Sequence, residues 1–537
     1  MSALLIASGQ SVASELHAEF GDIPPAFVPL CDQRLFVHQA AHLQRLYDRT
    51  CITLPAEFPV DAHDILLLAT LDVQVLTTAA GLSLGAALRS ALDRIDEAGR
   101  VDVLFGDTLV YADEVAGTDW IAVGDPTDHC HSHYEGDGGP HSGAAWAGMF
   151  SFSDGTALRR LLHETDDFVE AVLRYSNGHQ ALERRPLRKC LDFGHAHTYF
   201  RSRHKVTTER HLDNVTISDG VLTKTGDDAT KVLAEAGWFA TAPPAIRPFL
   251  PNFIEAGAAP TRYALEYLPL ATLNELYVFG RLPVRVWKRI FGACDRYLCA
   301  ARALPVTEPP GPGSCERLYK DKTLQRLAQF ADQTGVDIRR RWRFNGAVVP
   351  SLREMTEEAA EALCATPVPS FVHGDFCFSN ILFDFRAERV KLINPRGLDV
   401  DGRPTSFGDF RSDIGKLAHS VVGLYDAIIA GCFTLDAGDT EIVFQVHHRT
   451  GDDIRAAFLA TPFAGRTPPE WQCAPVMVLL FLSMLPLHAD HPLRQRALMA
   501  NAMRIYEEWR RDRHPGGGEQ PPLLRTGLQP AEVRVAG

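Results

Sequence analysis

Residues 371–384 read FVHGDFCFSNILFD. An apolar pair, Phe371 and Val372, runs into His373-Gly374-Asp375. Ser379-Asn380 follows, and then the apolar Ile381-Leu382-Phe383. The alternation of apolar runs with a polar loop predicts strand, loop, strand. An acid and an amide at this spacing suit phosphoryl transfer, whose catalysis is mostly positioning and charge neutralisation. Asp375 would accept the proton of an attacking hydroxyl, and Asn380 would offer its carbonyl oxygen to a magnesium ion carrying nucleotide phosphates. A bland alternative is an Asp and an Asn in a turn between two strands. The spacing and both flanking apolar runs favour the catalytic reading.

Composition bounds the rest. The 537 residues suffice for about two to four domains. A hydrophobic content of 46% is ordinary for a globular chain and supplies a core. The net charge of −13 argues against a general nucleic-acid binder. The start, Met1-Ser2-Ala3-Leu4, has no basic region before an apolar stretch, so no secretory leader is expected. The apolar run 476–485 is too short to span a bilayer. The 11 cysteines are scattered, with no CxxC pair, which predicts buried thiols in a reducing cytoplasm. The oligomeric state is left open.

Upstream of the loop, Val215 to Thr223 alternates as a hairpin around Asp219-Gly220. Lys224 lies at a strand end, and 227–239 reads as a helix carrying Glu235. Lys231 is the rival cation. Downstream, a strand over 389–393 leads to Asn394-Pro395-Arg396-Gly397. Helices are expected over 273–282, 284–302, 318–334 and 351–364, and from 423 to about 511. The Pro- and Gly-rich residues 512–537 are expected to be a disordered tail.

The pattern H-G-D-x-x-x-x-N resembles the catalytic loop of the aminoglycoside phosphotransferase and choline kinase group. That resemblance implies an α+β, two-lobed protein-kinase-like domain over 213–511, using ATP and Mg2+. It implies Lys224 and Glu235 as the pair that orients the nucleotide phosphates. It places a hinge at 262–269, where backbone groups of Glu266 and Leu268 would bond the adenine. It matches Phe407-Gly408-Asp409 and Asp413-Ile414-Gly415-Lys416-Leu417 to a helix start whose acids fix the catalytic loop. The family has an Asp at the end of the 389–393 strand as a second magnesium ligand. Here that position is Asn394, which brings no charge, with Asp399 and Asp401 close by in sequence.

In the first part of the chain, Leu4 to Ala7 reads as a strand feeding the small-residue turn Ser8-Gly9-Gln10, which lets backbone N–H groups approach phosphates. The stretches 34–49 and 82–98 read as helices, and 64–71, 73–77 and 101–105 as strands. Asp107 follows the last of these. Together with Asp192-Phe193-Gly194-His195-Ala196-His197-Thr198-Tyr199, these pieces resemble the sugar-phosphate nucleotidyltransferases. That implies an α/β, Rossmann-like domain with a mixed sheet over 1–212, nucleotide bound at Ser8 and Gly9, and metal at Asp107 and Asp192. The family's Arg after the glycines and its Lys before the apolar segment are missing here. Three readings follow: nucleotidyl transfer with other cations (Arg34, Arg201, Arg203 or Lys205), nucleotide-sugar binding without turnover, or a structural relic. CTP or another NTP would be the substrate. The segment 125–141 carries His129, Cys130, His131 and His133, a conceivable but open-ended metal set. The basic run 201–213 reads either as a solvated connector or as a phosphate-facing patch.

The combined expectation is a kinase for a small-molecule hydroxyl acceptor (a sugar, polyol or amino alcohol), bifunctional with nucleotidyl transfer, making an activated precursor of a surface polysaccharide. The alternatives are an enzyme with one degenerate domain and a nucleotide-binding regulator without turnover.

Overall fold

In the computed structural model of the chain, residues 2–95, 99–125, 145–209, 215–256, 261–447 and 451–513 are described. The His/Cys segment of 125–141 and residues 514–537 of the expected tail lie outside them, apart from Asp125. Residues 512 and 513 close the helix Pro492–Arg513.

The strand Ser2–Ala7 sits inside a seven-stranded mixed sheet. It pairs parallel with Arg49–Pro55 on one side and Arg100–Phe105 on the other. Its sequence explains that position. Leu4 and Ile6 pack into one core and Ala3 and Leu5 into another, all with no exposed surface. Side chains alternate along a strand, so a run apolar at every position fits only a sheet covered on both faces. Ala145–Phe152 joins antiparallel to Arg100–Phe105, which makes the sheet mixed. The carboxyl ends of the parallel strands open on a crevice, the usual ligand position in such sheets.

The second unit begins with an antiparallel sheet of Val215–Ser218, Val221–Thr225, Arg262–Glu266 and Phe253–Ala256, with the helix Ala229–Ala240 against it. Asp219 and Gly220 both take positive φ, 52° and 76°, which lets a tight turn follow the twist of its strands. The remainder is mostly helical. Cys473–Met484 is buried nearly all round and is surrounded by Lys322–Thr334, Leu352–Cys364, Arg411–Val421 and Pro492–Arg513. A helix apolar on every side belongs in such an interior.

The two units share one continuous core. At their border the Arg281 N–H donates to Phe20 O at 2.6 Å. Arg34 is 3% exposed, bonds both oxygens of Asp64, and donates to Phe279 O. Among the described residues no helix is long and apolar enough to cross a membrane.

Three expectations are corrected. The stretch 64–71 is not a strand but belongs to the helix Ala62–Thr70. Asp64 and Leu68, one turn apart, are its buried face, while Ile65 and Leu66 are exposed. The helix expected over 34–49 stops at Leu43, and Arg49–Pro55 is an interior strand. The region after 423 is not all helix: Phe433–Ala437 and Glu441–Val446 form a hairpin paired with Trp342–Phe344.

Candidate functional site

The strand Val221–Thr225 presents Lys224 opposite Tyr263. Helix Ala229–Ala240 brings Glu235, 2% exposed, to 2.7 Å from the Lys224 Nζ. The Tyr263 hydroxyl donates to the same Glu235 oxygen at 2.8 Å. Lys231 sits farther off, at 4.0 Å from the other oxygen, so Lys224 is the paired cation. One turn on, Trp238 donates its Nε1–H to Val372 O at 3.0 Å and packs edge-on against His373. One helix therefore sets both the lysine and the loop that carries Asp375.

The loop is held from below. Asp413, at the start of helix Arg411–Val421, accepts the N–H groups of His373 and Gly374, both at 2.8 Å. Burial pushes its carboxyl up to about 7, against the pull of those two N–H groups. Gly374 has φ 80°, and a Cβ there would come 2.7 Å from the Arg396 Cβ. Burial also pushes the His373 imidazole down to about 4, so the ring is neutral.

A continuous polar chain crosses the cavity above this loop. Lys224 Nζ donates to Asn394 Oδ1 at 3.1 Å, and Asn394 Nδ2 donates to Asn380 Oδ1 at 3.1 Å. Asn380 Nδ2 donates to Asp375 Oδ2 at 2.8 Å, and Lys416 Nζ lies 2.8 Å from Asp375 Oδ1. Burial alone would push the Asp375 carboxyl up, but Lys416 and its neighbours hold it down at about 2. Asp375 is therefore ionised at neutral pH. The cavity, about 750 Å³, also receives Lys322, Arg326 and Arg396.

The residues expected to hold magnesium bring no negative charge of their own. Mg2+ is usually held by one or two carboxylates together with substrate phosphates. Asn380 and Asn394 offer amide oxygens, each already accepting a hydrogen bond, one of them from an ammonium group. The neighbouring acids do not compensate. Asp399 accepts the N–H groups of Asp401 and Arg403, and Asp401 pairs with Arg317.

The expected hinge residues lie apart from this cavity. Glu266 is tied to Asn252, whose amide donates to its carboxylate at 2.9 Å and whose carbonyl accepts its N–H at 2.9 Å. The Leu268 carbonyl accepts from Leu270 N–H.

In the first unit, a cavity of about 300 Å³ lies at the carboxyl ends of the parallel strands. Gly9 and Gln10 line it. Ser8 instead is buried, its hydroxyl accepting the Ala26 N–H at 3.0 Å. Asp192 sits opposite Thr108 in a two-stranded pairing, which brings it beside Asp107. A Cβ at Gly194 would come 2.5 Å from Asp107 Oδ2 and 3.2 Å from Asp192 Oδ1. Asp107 lines the cavity, while Asp192 is buried outside its lining and its Oδ1 accepts the Gly194 N–H at 2.7 Å. The pair would need further oxygens, such as nucleotide phosphates, to hold a divalent ion. No Lys or Arg is among the described residues lining this cavity. Arg34 is committed to Asp64, and Arg203 lies 3.0 Å from Glu275. Arg201 and Lys205 are exposed on the helix Ala196–Glu209 and do not line this cavity.

Lys416, Lys322, Arg326 and Arg396 are cavity residues that the sequence patterns do not mark. Only Lys416 has a local signal, its place in the stretch that also holds Asp413.

No family model and no curated protein matches the chain. Partial likenesses to solved structures exist. The crystal structure of HddC from Yersinia pseudotuberculosis is 16% identical, covering 38% of this chain and 99% of that one, with a TM-score of 0.29. A UDP-glucose pyrophosphorylase complexed with UDP-glucose is 13% identical, covering 39% and 99%, with a TM-score of 0.29. An aminoglycoside-3'-phosphotransferase of type VIII is 19% identical, covering 51% and 98%, with a TM-score of 0.31.

Proposed function

We propose that the second unit transfers the γ-phosphoryl group of ATP to the hydroxyl of a small molecule. The observation that carries this is the chain Glu235–Lys224–Asn394–Asn380–Asp375 along one cavity. The acceptor oxygen bonds to the γ-phosphorus, the bond to the bridging oxygen of ADP breaks, and the hydroxyl proton passes to Asp375. Lys224, fixed by Glu235, holds the nucleotide phosphates. Lys416 and Arg396 oppose the charge on the transferred group, where the residues supply no metal carboxylate.

The first unit, in this reading, acts on nucleotides at Asp107 and Asp192. A divalent ion held there would polarise the α-phosphate. Joined, the two activities would phosphorylate a sugar, polyol or amino alcohol and cap it with a nucleotide, as an activated precursor for a surface polysaccharide. One observation favours a second reading, nucleotide binding without turnover: Asp375 is held in an ion pair with Lys416, and Asn394 replaces a charged ligand.

Mass spectrometry of the full chain with Mg2+, mixed NTPs and a pool of sugars, polyols and amino alcohols tests these readings. A phosphorylated product that disappears in Asp375→Ala supports phosphoryl transfer. A nucleotidylated product lost in Asp107→Ala supports the first unit's role. Bound nucleotide with no product in either form supports the second reading.

A further inference from the structure

The acceptor side of the cavity carries a charge pattern that phosphoryl transfer to a neutral alcohol leaves unexplained. Lys322 and Arg326 come from helix Lys322–Thr334, Arg396 from the segment after strand Arg389–Leu392, and Lys416 from helix Arg411–Val421. All four line the space around Asp375. Lys416 is paired with Asp375, and Arg326 donates to Ser483 O at 2.9 Å. Among the described residues no carboxylate pairs with Lys322 or Arg396 as Asp375 pairs with Lys416. Arg396 is nevertheless built into the loop: its N–H donates to His373 O at 2.9 Å, and its Cβ packs over Gly374.

Like charges brought together at a half-buried place are unfavourable unless an anion joins them. Burial first, then Arg396, Arg326 and Lys416, push the Lys322 ammonium down to about 7, although Asp375 opposes this. Burial likewise lowers the Arg396 guanidinium. Lys224 already serves the nucleotide side, on the strand held by Glu235. Helix Lys322–Thr334 packs instead against Cys473–Met484 and Leu485–His488, whose Leu479, Leu480 and Met484 form an apolar wall of the same cavity.

Resting on the phosphotransferase reading above, we propose that the acceptor is itself an anion. It is a hydroxyl compound that already carries a phosphate or carboxylate, seated on Lys322, Arg326 and Arg396 with its hydroxyl toward Asp375.

Calorimetric titration of the full chain separates this from the underlying reading. The probes are glycerol, glycerol 3-phosphate, glycerate and ATP, each against wild type, Lys322→Gln and Arg326→Gln, with thermal melts confirming folding. The expected result is that glycerol 3-phosphate or glycerate binds and glycerol does not. Each variant should weaken anion binding about tenfold while ATP affinity stays within about twofold. Which anion binds more tightly distinguishes a phosphate from a carboxylate. Anion binding unchanged in both variants, or ATP affinity falling as far as anion affinity, overturns the proposal, the latter assigning the cations to the nucleotide. Anion binding that follows the cations, with no phosphorylated product from any acceptor, keeps the anion site and removes the phosphotransferase reading.

Discussion

The two cavities have opposite charge deficits. The first unit places Asp107 on its cavity wall, with the buried Asp192 close by, and has no Lys or Arg among its described lining residues. The second gathers Lys224, Lys322, Arg326, Arg396 and Lys416, and has amides where a metal would need carboxylates. On the proposed function each site would have to neutralise phosphate charge, with metal ions or with cationic side chains. The contrast would then make the first site the more dependent on a metal ion and the second the more dependent on its own side chains.

The largest expected effect comes from the base. Asp375→Asn should lower phosphoryl transfer by about 10²- to 10⁴-fold, read by steady-state rates, with nucleotidyl transfer unchanged. Next is the buried pair. Lys224→Ala leaves the buried Glu235 carboxylate with the Tyr263 hydroxyl and the more distant Lys231, at 4.0 Å, and should destabilise the second unit by about 3 kcal/mol, measured by denaturant unfolding. Equal stability would mean the pair is not formed in solution.

Two substitutions move each site toward the other's charge balance. Asn394→Asp supplies the missing carboxylate and should make turnover in the second unit depend on Mg2+, raising its rate about tenfold at saturating metal. A rate indifferent to metal would contradict the contrast. Gln10→Arg places a cation at the edge of the first cavity and should tighten NTP binding by about tenfold or less, near 1 kcal/mol, as read by equilibrium titration.

The smallest effect is on pH dependence. Lys322, held at about 7, faces Arg396, Arg326, Lys416 and Asp375. Between pH 6 and 8 it loses its proton, so affinity for an anionic acceptor should fall about fivefold. Lys322→Arg, always charged, should flatten that profile. The sign for folding is the reverse. The folded value lies below the ordinary 10.5, so the unfolded chain binds more protons between the two, and stability rises with pH across that window.

What the sequence revealed was local. Asp375 and Asn380 stand in one short loop, so their spacing marked them; Lys224 and Glu235, on a strand and the next helix, were legible through the resemblance that this spacing suggested. Asp107 and Asp192 were legible only through resemblance, since the Asp192–Thr108 pairing joins distant strands. Of the cation cluster, only Lys322 and Arg326 share a helix, four residues apart; Arg396 and Lys416 come from a loop and another helix, with no period to link them. The hairpin 433–446 did carry a signal: Ile442 and Phe444 alternate with exposed residues around Gly438. The error at 64–71 has a different origin. A continuous apolar run suits a buried strand, yet Asp64 is drawn inward by Arg34 and turns the run into a helix with two apolar residues outside.

The central claim is that Asp375 accepts a proton during transfer from ATP. The most direct test follows γ-32P from ATP into an acceptor pool containing neutral and anionic hydroxyl compounds, with wild type and Asp375→Asn side by side and ATP affinity measured in both. Label entering an acceptor with wild type, and falling at least a hundredfold in Asp375→Asn while ATP still binds, is the predicted result. Equal label transfer by both, or none by wild type under any acceptor, would contradict it.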